Sequence, residues 1–288
     1  MLQTVYMKPI NFADDAFRDT VHEIIDYGSS TEGEMVRTRW ADTNEPAHTK
    51  FTTNVCNTYF LDTMFPACSL RRLAFKSCID EILWIWQRKS NNIKELHSHV
   101  WDAWADDNGS IGKAYGWQVK NHLRNGMDQT DYIIHELKNN PFSRRIIGML
   151  YNIDDLAESA LDACCYSVTY SVRKDEDGNK ILDCLLNQRS NDFIVANNWN
   201  LCQYAVLQHM FAQVCGMKVG KITHVIANAH IYDRHIPLAE EMIKRESYSA
   251  PTLWVNPDIK NFYDFTVDDF KLIDYKYHEL DCRIPVAI

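Results

Sequence analysis

The stretch Cys164–Asp192, CCYSVTYSVRKDEDGNKILDCLLNQRSND, indicates the architecture of this chain more clearly than any other segment. Apolar and polar side chains alternate over residues 166–172 and again over residues 181–186, the period of a half-buried strand. The intervening residues Asp175–Asn179 are typical of a tight turn and include a glycine. The stretch therefore predicts a β-hairpin, with the polar motif Gln188-Arg189-Ser190-Asn191-Asp192 directly after its second strand.

Outside the hairpin, helical and strand-like segments are interspersed along the chain. Apolar residues at helical spacing predict helices over residues 13–27, 72–87, 128–138, 199–214 and 237–245. Strand-like runs lie at residues 51–61, 145–151, 221–227 and 252–255. No repeat, low-complexity linker or change of composition divides residues 1–288. The pattern predicts a single α+β domain with a large mixed β-sheet flanked by helices.

Composition narrows the class of protein. The formal net charge is −9, which argues against a general nucleic-acid binder because such proteins usually carry a basic stripe. Residues 1–12 lack the apolar core of a signal peptide, and no apolar run approaches membrane length. The nine cysteines show neither a disulfide framework nor zinc-ligand spacing. We therefore expect a cytoplasmic protein with reduced thiols, no membrane segment and no metal.

Cys164 and the polar motif Gln188–Asp192 form the main candidate for chemistry. An arginine fork and a serine hydroxyl, here Arg189 and Ser190, can hold phosphate oxygens. A thiolate beside an arginine is favoured electrostatically and becomes a usable nucleophile near neutral pH. A cysteine at the start of a strand is more often a small buried hydrophobe. Cys165 would point to the opposite face of the strand, so only one of the two can face a given cleft.

Asn200, at the predicted start of a helix, is either a helix cap or a reader of a nucleobase. Its amide can accept from a ring N–H and donate to the adjacent carbonyl, which is the pattern that uracil offers and cytosine reverses. A site built for one hydrogen-bond pattern rejects the other because buried groups are left unpaired. As a base reader, Asn200 would therefore select uracil.

Several other side chains allow both a structural and a functional interpretation. Glu81 lies in an apolar helix, either on its exposed stripe or in a water-lined cleft. His230 and Tyr232 alternate on a strand, so they face one side, as core residues or as partners of a sugar hydroxyl. Trp101 and Trp104 have helical spacing, which suits core packing or a floor for a flat ring.

The adjacent pair Arg144-Arg145 lies just before a predicted strand. By itself such a pair is usually a solvated charge pair. Adjacent residues in extended backbone point to opposite sides. The two could therefore serve one phosphate only through a bend or across a subunit boundary.

Together these residues resemble the thymidylate synthase family, which methylates deoxyuridine monophosphate (dUMP) with a reduced folate. The likeness runs from about Arg37 to the C-terminus in the family's order. It is carried by Arg37-Thr38, Glu81-Ile82-Leu83-Trp84, Trp101-Asp102-Ala103-Trp104-Ala105-Asp106, Ala114-Tyr115-Gly116, Ser143-Arg144-Arg145, Cys164, Gln188-Arg189-Ser190-Asn191-Asp192, Asn200, His230 with Tyr232, and Pro285-Val286-Ala287-Ile288.

The resemblance implies a role for each group. Cys164 would add to carbon 6 of uracil, so that carbon 5 can attack the methylene of 5,10-methylenetetrahydrofolate. Glu81 would organise proton transfer, Tyr115 would help remove the proton from carbon 5, and Arg189 would favour the thiolate. The implied catalytic residues are Cys164, Glu81, Tyr115, Arg189 and Asp192.

The resemblance also implies how the two substrates are bound. The implied dUMP-binding residues are Arg37, Gln188, Arg189, Ser190, Asn191, Asp192, Asn200, His230 and Tyr232, together with Arg144 and Arg145 from the other subunit of a homodimer. The implied folate-binding residues are Trp101, Trp104, Asp192, Ala196, Ala287 and Ile288. The C-terminus would close over the complex and exclude water.

Two departures from the family pattern keep an alternative open. Cys164 follows Ala163 and precedes Cys165, where the family usually has proline and often histidine. Residues 194–199 replace a stretch that is commonly rich in glycine and proline, and their side chains would narrow the folate cleft. The alternative is a dUMP hydroxymethylase, in which water captures the methylene and tetrahydrofolate is released. Retention of both tryptophans and of the C-terminal motif favours methylation; a regulatory RNA-binding protein is disfavoured by the acidic charge.

Overall fold

The computed structural model describes residues 10–288. Its α-helices are α1 (Phe12–His22), α2 (Phe75–Trp86), α3 (Gly116–Asn121), α4 (Gln129–Asn139), α5 (Asn197–Val214) and α6 (Ile236–Met242). A π-helical turn, Glu23–Tyr27, continues α1. Short 3-10 turns lie at Ile93–Glu95, Asp102–Trp104, Ile153–Glu158, Asp233–His235, Phe262–Asp264 and Val267–Asp269.

The strands are β1 (Ser29–Ser30), β2 (Thr49–Phe60), β3 (Ile147–Met149), β4 (Cys165–Lys174), β5 (Lys180–Gln188), β6 (Asn191–Asp192), β7 (Lys218–Tyr232), β8 (Thr252–Val255) and β9 (Phe270–Ile273). The main sheet has the order β1-β2-β7-β5-β4-β3, and β6 pairs with β7 off this path. Neighbours in the main order are antiparallel except β5 and β7, which run parallel. The predicted α+β architecture with a large mixed sheet is therefore confirmed.

The predicted hairpin is strands β4 and β5. They are antiparallel, with Val172 opposite Leu182, and the register shifts between Cys165 and Ser167. Such bulges re-aim side chains and are common beside active sites. The shift comes immediately after Cys164.

Helices α2 and α5 pack against each other and form the buried layer beside the sheet. α2 is buried at every position from Cys78 to Trp86, so it is a helix enclosed on all sides rather than one with an exposed stripe. α5 is buried continuously from Leu201 to Gln208. This enclosure places Glu81 and the first turn of α5 beside the carboxyl end of β5.

Several element boundaries differ from the prediction, and two of them bear on the site. α2 begins at Phe75 rather than residue 72; in the segment before it, the backbone N–H of Arg72 donates to the carbonyl of His278 and that of Leu73 donates to the Tyr275 hydroxyl. α5 begins at residue 197, so Asn200 is not a cap; its N–H donates to the Ala196 carbonyl within the first turn. The Asn200 side chain is thus available to the cleft.

Within residues 10–288, no helix has the length and apolarity needed to cross a membrane. The same part of the chain holds no group of three or more histidine, cysteine, aspartate or glutamate side chains that could bind a metal ion. The expectation about a signal peptide concerns residues 1–9 in part, and these lie outside the described residues.

Candidate active site

The Cys164 thiol lies immediately before β4 and beside Arg189, which follows β5. The Arg189 backbone N–H donates to the Cys164 carbonyl at 2.9 Å, and its guanidinium Nη2 lies 3.9 Å from Cys164 Sγ. The same guanidinium is anchored by the carbonyls of Ala163 (Nε, 3.1 Å) and Asp162 (Nη2, 2.6 Å). Backbone carbonyls next to Cys164 therefore bind both Nε and Nη2 of Arg189 and hold its guanidinium beside the Cys164 sulfur.

Burial raises the pKa of the Cys164 thiol, and this outweighs the opposing effects of Arg189, the Tyr115 hydroxyl and Arg37. The sequence-based expectation that the arginine alone would favour a thiolate is therefore incomplete. Desolvation disfavours the charged form of a buried thiol. The cations reduce this penalty without removing it.

Tyr115 also contacts Cys164. Its hydroxyl accepts a hydrogen bond from the Cys164 backbone N–H at 3.1 Å, and its ring lies edge-on to Trp101 with centroids 5.1 Å apart. The residue has φ 46° and ψ −102°, a strained conformation for a tyrosine. Gly116 follows because a Cβ there would lie 2.1 Å from the Ser90 carbonyl oxygen.

Glu81 is a buried carboxylate held by two indoles, which excludes the interpretation that it lies on an exposed stripe. Trp101 Nε1 donates to Oε1 at 2.8 Å, and Trp199 Nε1 donates to Oε2 at 2.6 Å. Burial raises the pKa of Glu81, while these N–H donors and Gln203 oppose the rise. Trp104 lies edge-on to Trp101, with centroids 5.7 Å apart.

The Asn200 amide is oriented by two glutamines. Its Oδ1 accepts from Gln188 Nε2 at 3.0 Å, and its Nδ2 donates to Gln203 Oε1 at 3.2 Å. Gln188 Nε2 also donates to the Ser190 carbonyl, and Gln188 Oε1 accepts from Asn191 Nδ2, both at 3.0 Å. These contacts fix the orientation of the Asn200 amide, with its oxygen facing Gln188 and its nitrogen facing Gln203.

Asp192 and Ala196 shape the loop between β6 and α5. Asp192 Oδ1 accepts from the N–H groups of Ile194 (3.1 Å) and Val195 (3.0 Å), and the Ala196 N–H donates to the Asp192 carbonyl at 2.8 Å. Asp192 pairs with His230 in the parallel β6–β7 register. The Asp192 carboxylate thus stabilises the loop that follows it, and Asp192 lies beside His230, a candidate for binding the sugar hydroxyl.

His230 and Tyr232 lie on the same side of β7, as their alternation predicts, with ring centroids 5.2 Å apart. His230 Nδ1 lies 3.1 Å from Asn228 Oδ1. Burial lowers the pKa of His230 and raises the pKa of Tyr232 to about 12. Both side chains are therefore neutral near pH 7, as hydrogen-bonding partners of a hydroxyl should be.

The C-terminal tail is tied to the segment that follows Arg37. Ile288 and Arg39 exchange two backbone hydrogen bonds of 2.8 Å, and Ala287 lies opposite Trp40. Ala287 packs with Trp40 and Tyr232. In this structure the tail contacts Tyr232, which the resemblance assigned to the nucleotide, whereas it assigned Ala287 and Ile288 to the folate.

The structure does not bring Arg144 and Arg145 to Cys164 within one chain. Both are exposed and precede β3, in which Ile147 lies opposite Thr169 of β4. Arg145 therefore lies beyond Thr169, on the side away from Cys164. About seven residue spacings of about 3.3 Å, or about 20 Å, separate them along the strand direction.

Comparison with known proteins agrees with this arrangement. The family model described as thymidylate synthase matches residues 15–288. This chain belongs to the thymidylate synthase family. It is 44% identical to a thymidylate synthase of Bacillus licheniformis over 271 residues, covering 92% of this chain and 95% of the relative. It is 42% identical to thymidylate synthase 1 of Bacillus subtilis strain 168, with the same coverage.

A solved structure, the thermostable thymidylate synthase A from Bacillus subtilis, superposes with a TM-score of 0.88 at 41% identity, covering 96% of this chain and 99% of that one. Membership of the thymidylate synthase family confirms the predicted family, fold and methyltransferase class. It confirms 5,10-methylenetetrahydrofolate as the co-substrate and supports methylation rather than the hydroxymethylase alternative.

Sequence reasoning missed four side chains of this thymidylate synthase site. Trp199 holds Glu81, Gln203 and His224 belong to the hydrogen bonds around Asn200, and Trp40 packs against the tail. Trp199 is adjacent to Asn200 in sequence, which was an available signal. The other three sit in ordinary helical, strand-like or loop patterns that carry no local mark of function.

Proposed function

We propose that this chain is a thymidylate synthase that converts dUMP to thymidylate, with Cys164 as the nucleophile. The observation that carries the proposal is the approach of Arg189 Nη2 to within 3.9 Å of Cys164 Sγ. A buried thiol needs a nearby cation to ionise, and this cation is held rigidly by backbone carbonyls.

The chemistry starts with addition of the Cys164 thiolate to carbon 6 of the uracil ring. Carbon 5, now an enolate carbon, attacks the methylene of 5,10-methylenetetrahydrofolate, and Tyr115 assists loss of the carbon 5 proton. Tetrahydrofolate leaves and returns a hydride to the methylene, which gives thymidylate and dihydrofolate as Cys164 is released. Tyr115 suits this role because its hydroxyl already lies 3.1 Å from the Cys164 backbone nitrogen.

Glu81 organises proton transfer around the uracil 4-oxygen and the folate. Its buried position raises its pKa, so a proton can reside on it nearer to neutral pH than on an exposed glutamate. The indoles of Trp101 and Trp199 hold both carboxyl oxygens in place. Trp101 and Trp104 line the folate side, together with Asp192 and Ala196, and the tail residues Ala287 and Ile288 join them when the tail closes over the complex.

Asn200 reads the uracil, and His230 with Tyr232 holds the deoxyribose hydroxyl. The assigned orientation of the Asn200 amide supports this: Oδ1 can accept from the uracil N3–H while Nδ2 donates to the 4-oxygen. Gln188 and Asn191 orient Asn200 beneath the base.

Arg37, Arg189 and Ser190 bind the phosphate, completed by Arg144 and Arg145 of a second subunit. The distance of about 20 Å along the strand leaves a partner chain as the way for the arginine pair to reach this site. On the open face of the sheet, five residues lie side by side on adjacent strands, each opposite the next in the pairing register: Ile147, Thr169, Leu185, Thr223 and Thr58. Ile147 and Leu185 remain 41% and 37% exposed, so this face suits a homodimer interface.

We further propose that residues 1–288 form one domain in the cytoplasm. A single hydrophobic cluster links Tyr59 of β2 and Leu207 of α5 to Phe270 near the C-terminus, which supports one folding unit. All nine cysteines are free, which suits a reducing compartment.

Product analysis tests the function directly. The full chain is incubated with dUMP and 5,10-methylenetetrahydrofolate, the nucleotide is identified by mass spectrometry, and dihydrofolate is followed by absorbance. Thymidylate with an equal amount of dihydrofolate is the expected result. Hydroxymethyl-dUMP without dihydrofolate would overturn the proposal in favour of the hydroxymethylase, and unchanged dUMP would overturn both.

A further inference from the structure

The side chains around Asn200 form a hydrogen-bond chain with a single direction. His224 Nε2 lies 2.8 Å from Gln188 Oε1, Gln188 Nε2 donates to Asn200 Oδ1, and Asn200 Nδ2 donates to Gln203 Oε1. Gln203 Nε2 then reaches the backbone carbonyl of Cys78 at 3.4 Å. The chain connects strand β7 to helix α2 through the base-reading residue.

Two backbone carbonyls fix this direction. The carbonyl of Cys78 can only accept, so it draws Gln203 Nε2 and leaves Gln203 Oε1 facing Asn200. The carbonyl of Ser190 likewise draws Gln188 Nε2. Gln188 Oε1 must then face Asn191 and His224 as an acceptor.

His224 supplies the donor at the far end. It is 1% exposed, and burial lowers its pKa to about 3, so the imidazole is neutral and carries a single N–H. Facing the Gln188 oxygen, that proton must be on Nε2, because the other tautomer would oppose two lone pairs. Asn191 is the other donor to this oxygen.

We propose that His224 is a positioning residue for base selection, acting through Gln188 to hold the Asn200 amide in the orientation that accepts uracil. The inference rests on the proposed function, in which Asn200 reads the base. His224 itself lies one side chain removed from Asn200 and needs no contact with substrate.

The physical basis is the cost of turning the Asn200 amide over. Cytosine requires the reversed orientation, which would set Asn200 Oδ1 against Gln203 Oε1 and Asn200 Nδ2 against Gln188 Nε2. Each such mismatch leaves buried polar groups unpaired. Removing the His224 donor weakens the hold on Gln188 and lowers the cost of the reversal.

The test measures equilibrium dissociation constants of dUMP and dCMP for the full chain without folate. For His224→Phe we expect the dCMP-to-dUMP ratio of dissociation constants to fall by about tenfold, the effect of one lost hydrogen bond in a buried site. His224→Gln, whose amide can donate from a similar position, should restore the ratio to within about twofold.

His209→Phe is the matched control. His209 is a second histidine whose pKa is lowered by burial, and its Nε2 has no hydrogen-bond partner within the described part of the chain. His209→Phe should leave the ratio unchanged, because this Nε2 does not hold Gln188 or Asn200. Any general loss of folded protein would weaken the binding of both nucleotides equally.

An unchanged ratio in folded His224→Phe, or equal shifts in both phenylalanine variants, would overturn the inference. If His224→Phe does not fold, ¹⁵N NMR of the wild-type protein decides: the Nε2–H tautomer is expected, and the Nδ1–H tautomer overturns the proposal. A wild-type protein that fails to prefer dUMP would instead contradict the proposed function.

Discussion

The proposed base-reading half of the cleft, around Asn200, and the proposed phosphate-binding half, which includes Arg144 and Arg145, are built differently. Gln188 and Gln203, which orient Asn200, are 1% and 2% exposed, and their hydrogen bonds close within one chain. Arg144 and Arg145 are exposed and lie on the far side of Thr169 from Cys164. In the proposed function, the folding of one chain therefore organises base recognition in advance, whereas phosphate recognition requires a second chain.

Replacement of Cys164 tests whether dUMP still binds when the chemical step is blocked. We expect Cys164→Ala to lower kcat by about 10⁴-fold or more, because no other group replaces the nucleophile. Affinity for dUMP should persist, since the contacts to base and phosphate lie elsewhere. Single-turnover kinetics and calorimetric titration with dUMP measure the two; loss of nucleotide binding by a folded variant would contradict the role of Cys164.

The base-reading half predicts a change of selectivity in Asn200→Asp. A carboxyl group that carries a proton can present donor and acceptor in the order that cytosine needs, so the preference for dUMP over dCMP should fall by about 10²-fold. Competition binding with both nucleotides measures this change. Deoxyribose 5-phosphate, which lacks a base, serves as the control ligand and should bind the variant and the wild type equally.

Deletion of Ile288 probes the tail that joins the two halves. The deletion removes both hydrogen bonds between Ile288 and Arg39, so the segment beside Arg37 keeps only the bond from the Ala41 N–H to the Val286 carbonyl as its backbone hydrogen bond to the tail. We expect kcat to fall by about 10²-fold through imperfect closure and positioning. Steady-state kinetics measure the effect; unchanged kcat would exclude the tail from the closing step.

The phosphate-binding half predicts complementation between subunits. Arg145→Ala should raise KM for dUMP about tenfold, the effect of one lost charge-assisted hydrogen bond. At dUMP concentrations well below KM, dissociating and reassociating this variant with an equal amount of Cys164→Ala should bring activity to about a quarter of the wild-type value, because half of the dimers are then mixed and each has one intact site. Two separately refolded samples, combined only afterwards, are the control; no recovery in the mixed dimers would place Arg145 outside the partner's site.

The smallest expected effect concerns the ionisation of Cys164. Burial raises the pKa of this thiol and the Tyr115 hydroxyl opposes the rise. Tyr115→Phe should therefore raise the pKa further and slow alkylation near pH 7.5 by about threefold, since a smaller thiolate fraction is present at each pH below the pKa. The rate of iodoacetamide modification against pH measures this; a profile displaced to lower pH would contradict it.

Local sequence was sufficient for the hairpin and for most helices. The turn at Asp175–Asn179 and the alternation on both sides lie close together in the chain, so β4 and β5 were predictable. The parallel pairing of β5 with β7 joins residues that are far apart, and nothing in either strand indicates it. That pairing places His224 on a strand neighbouring the one that carries Gln188.

The site was predictable to the extent that the motifs resembled those of a known family. The environment of Glu81 was not, because its position inside a helix is compatible with exposure until Trp101 and Trp199 are seen around it. The lowering of the Cys164 pKa by Arg189 was predictable because a neighbouring arginine is visible in the sequence, whereas the larger rise from desolvation is a property of the folded chain.

The backbone conformation of Tyr115 limits which residues this position can accept without strain. At φ 46° the backbone of Tyr115 has a conformation that glycine adopts without strain, whereas a residue with a side chain typically pays about 1–3 kcal/mol for it. A change to glycine would relieve that strain but remove the hydroxyl beside Cys164. Selection for thermal stability alone would therefore favour glycine here, whereas the proposed role of Tyr115 in proton removal would retain the tyrosine.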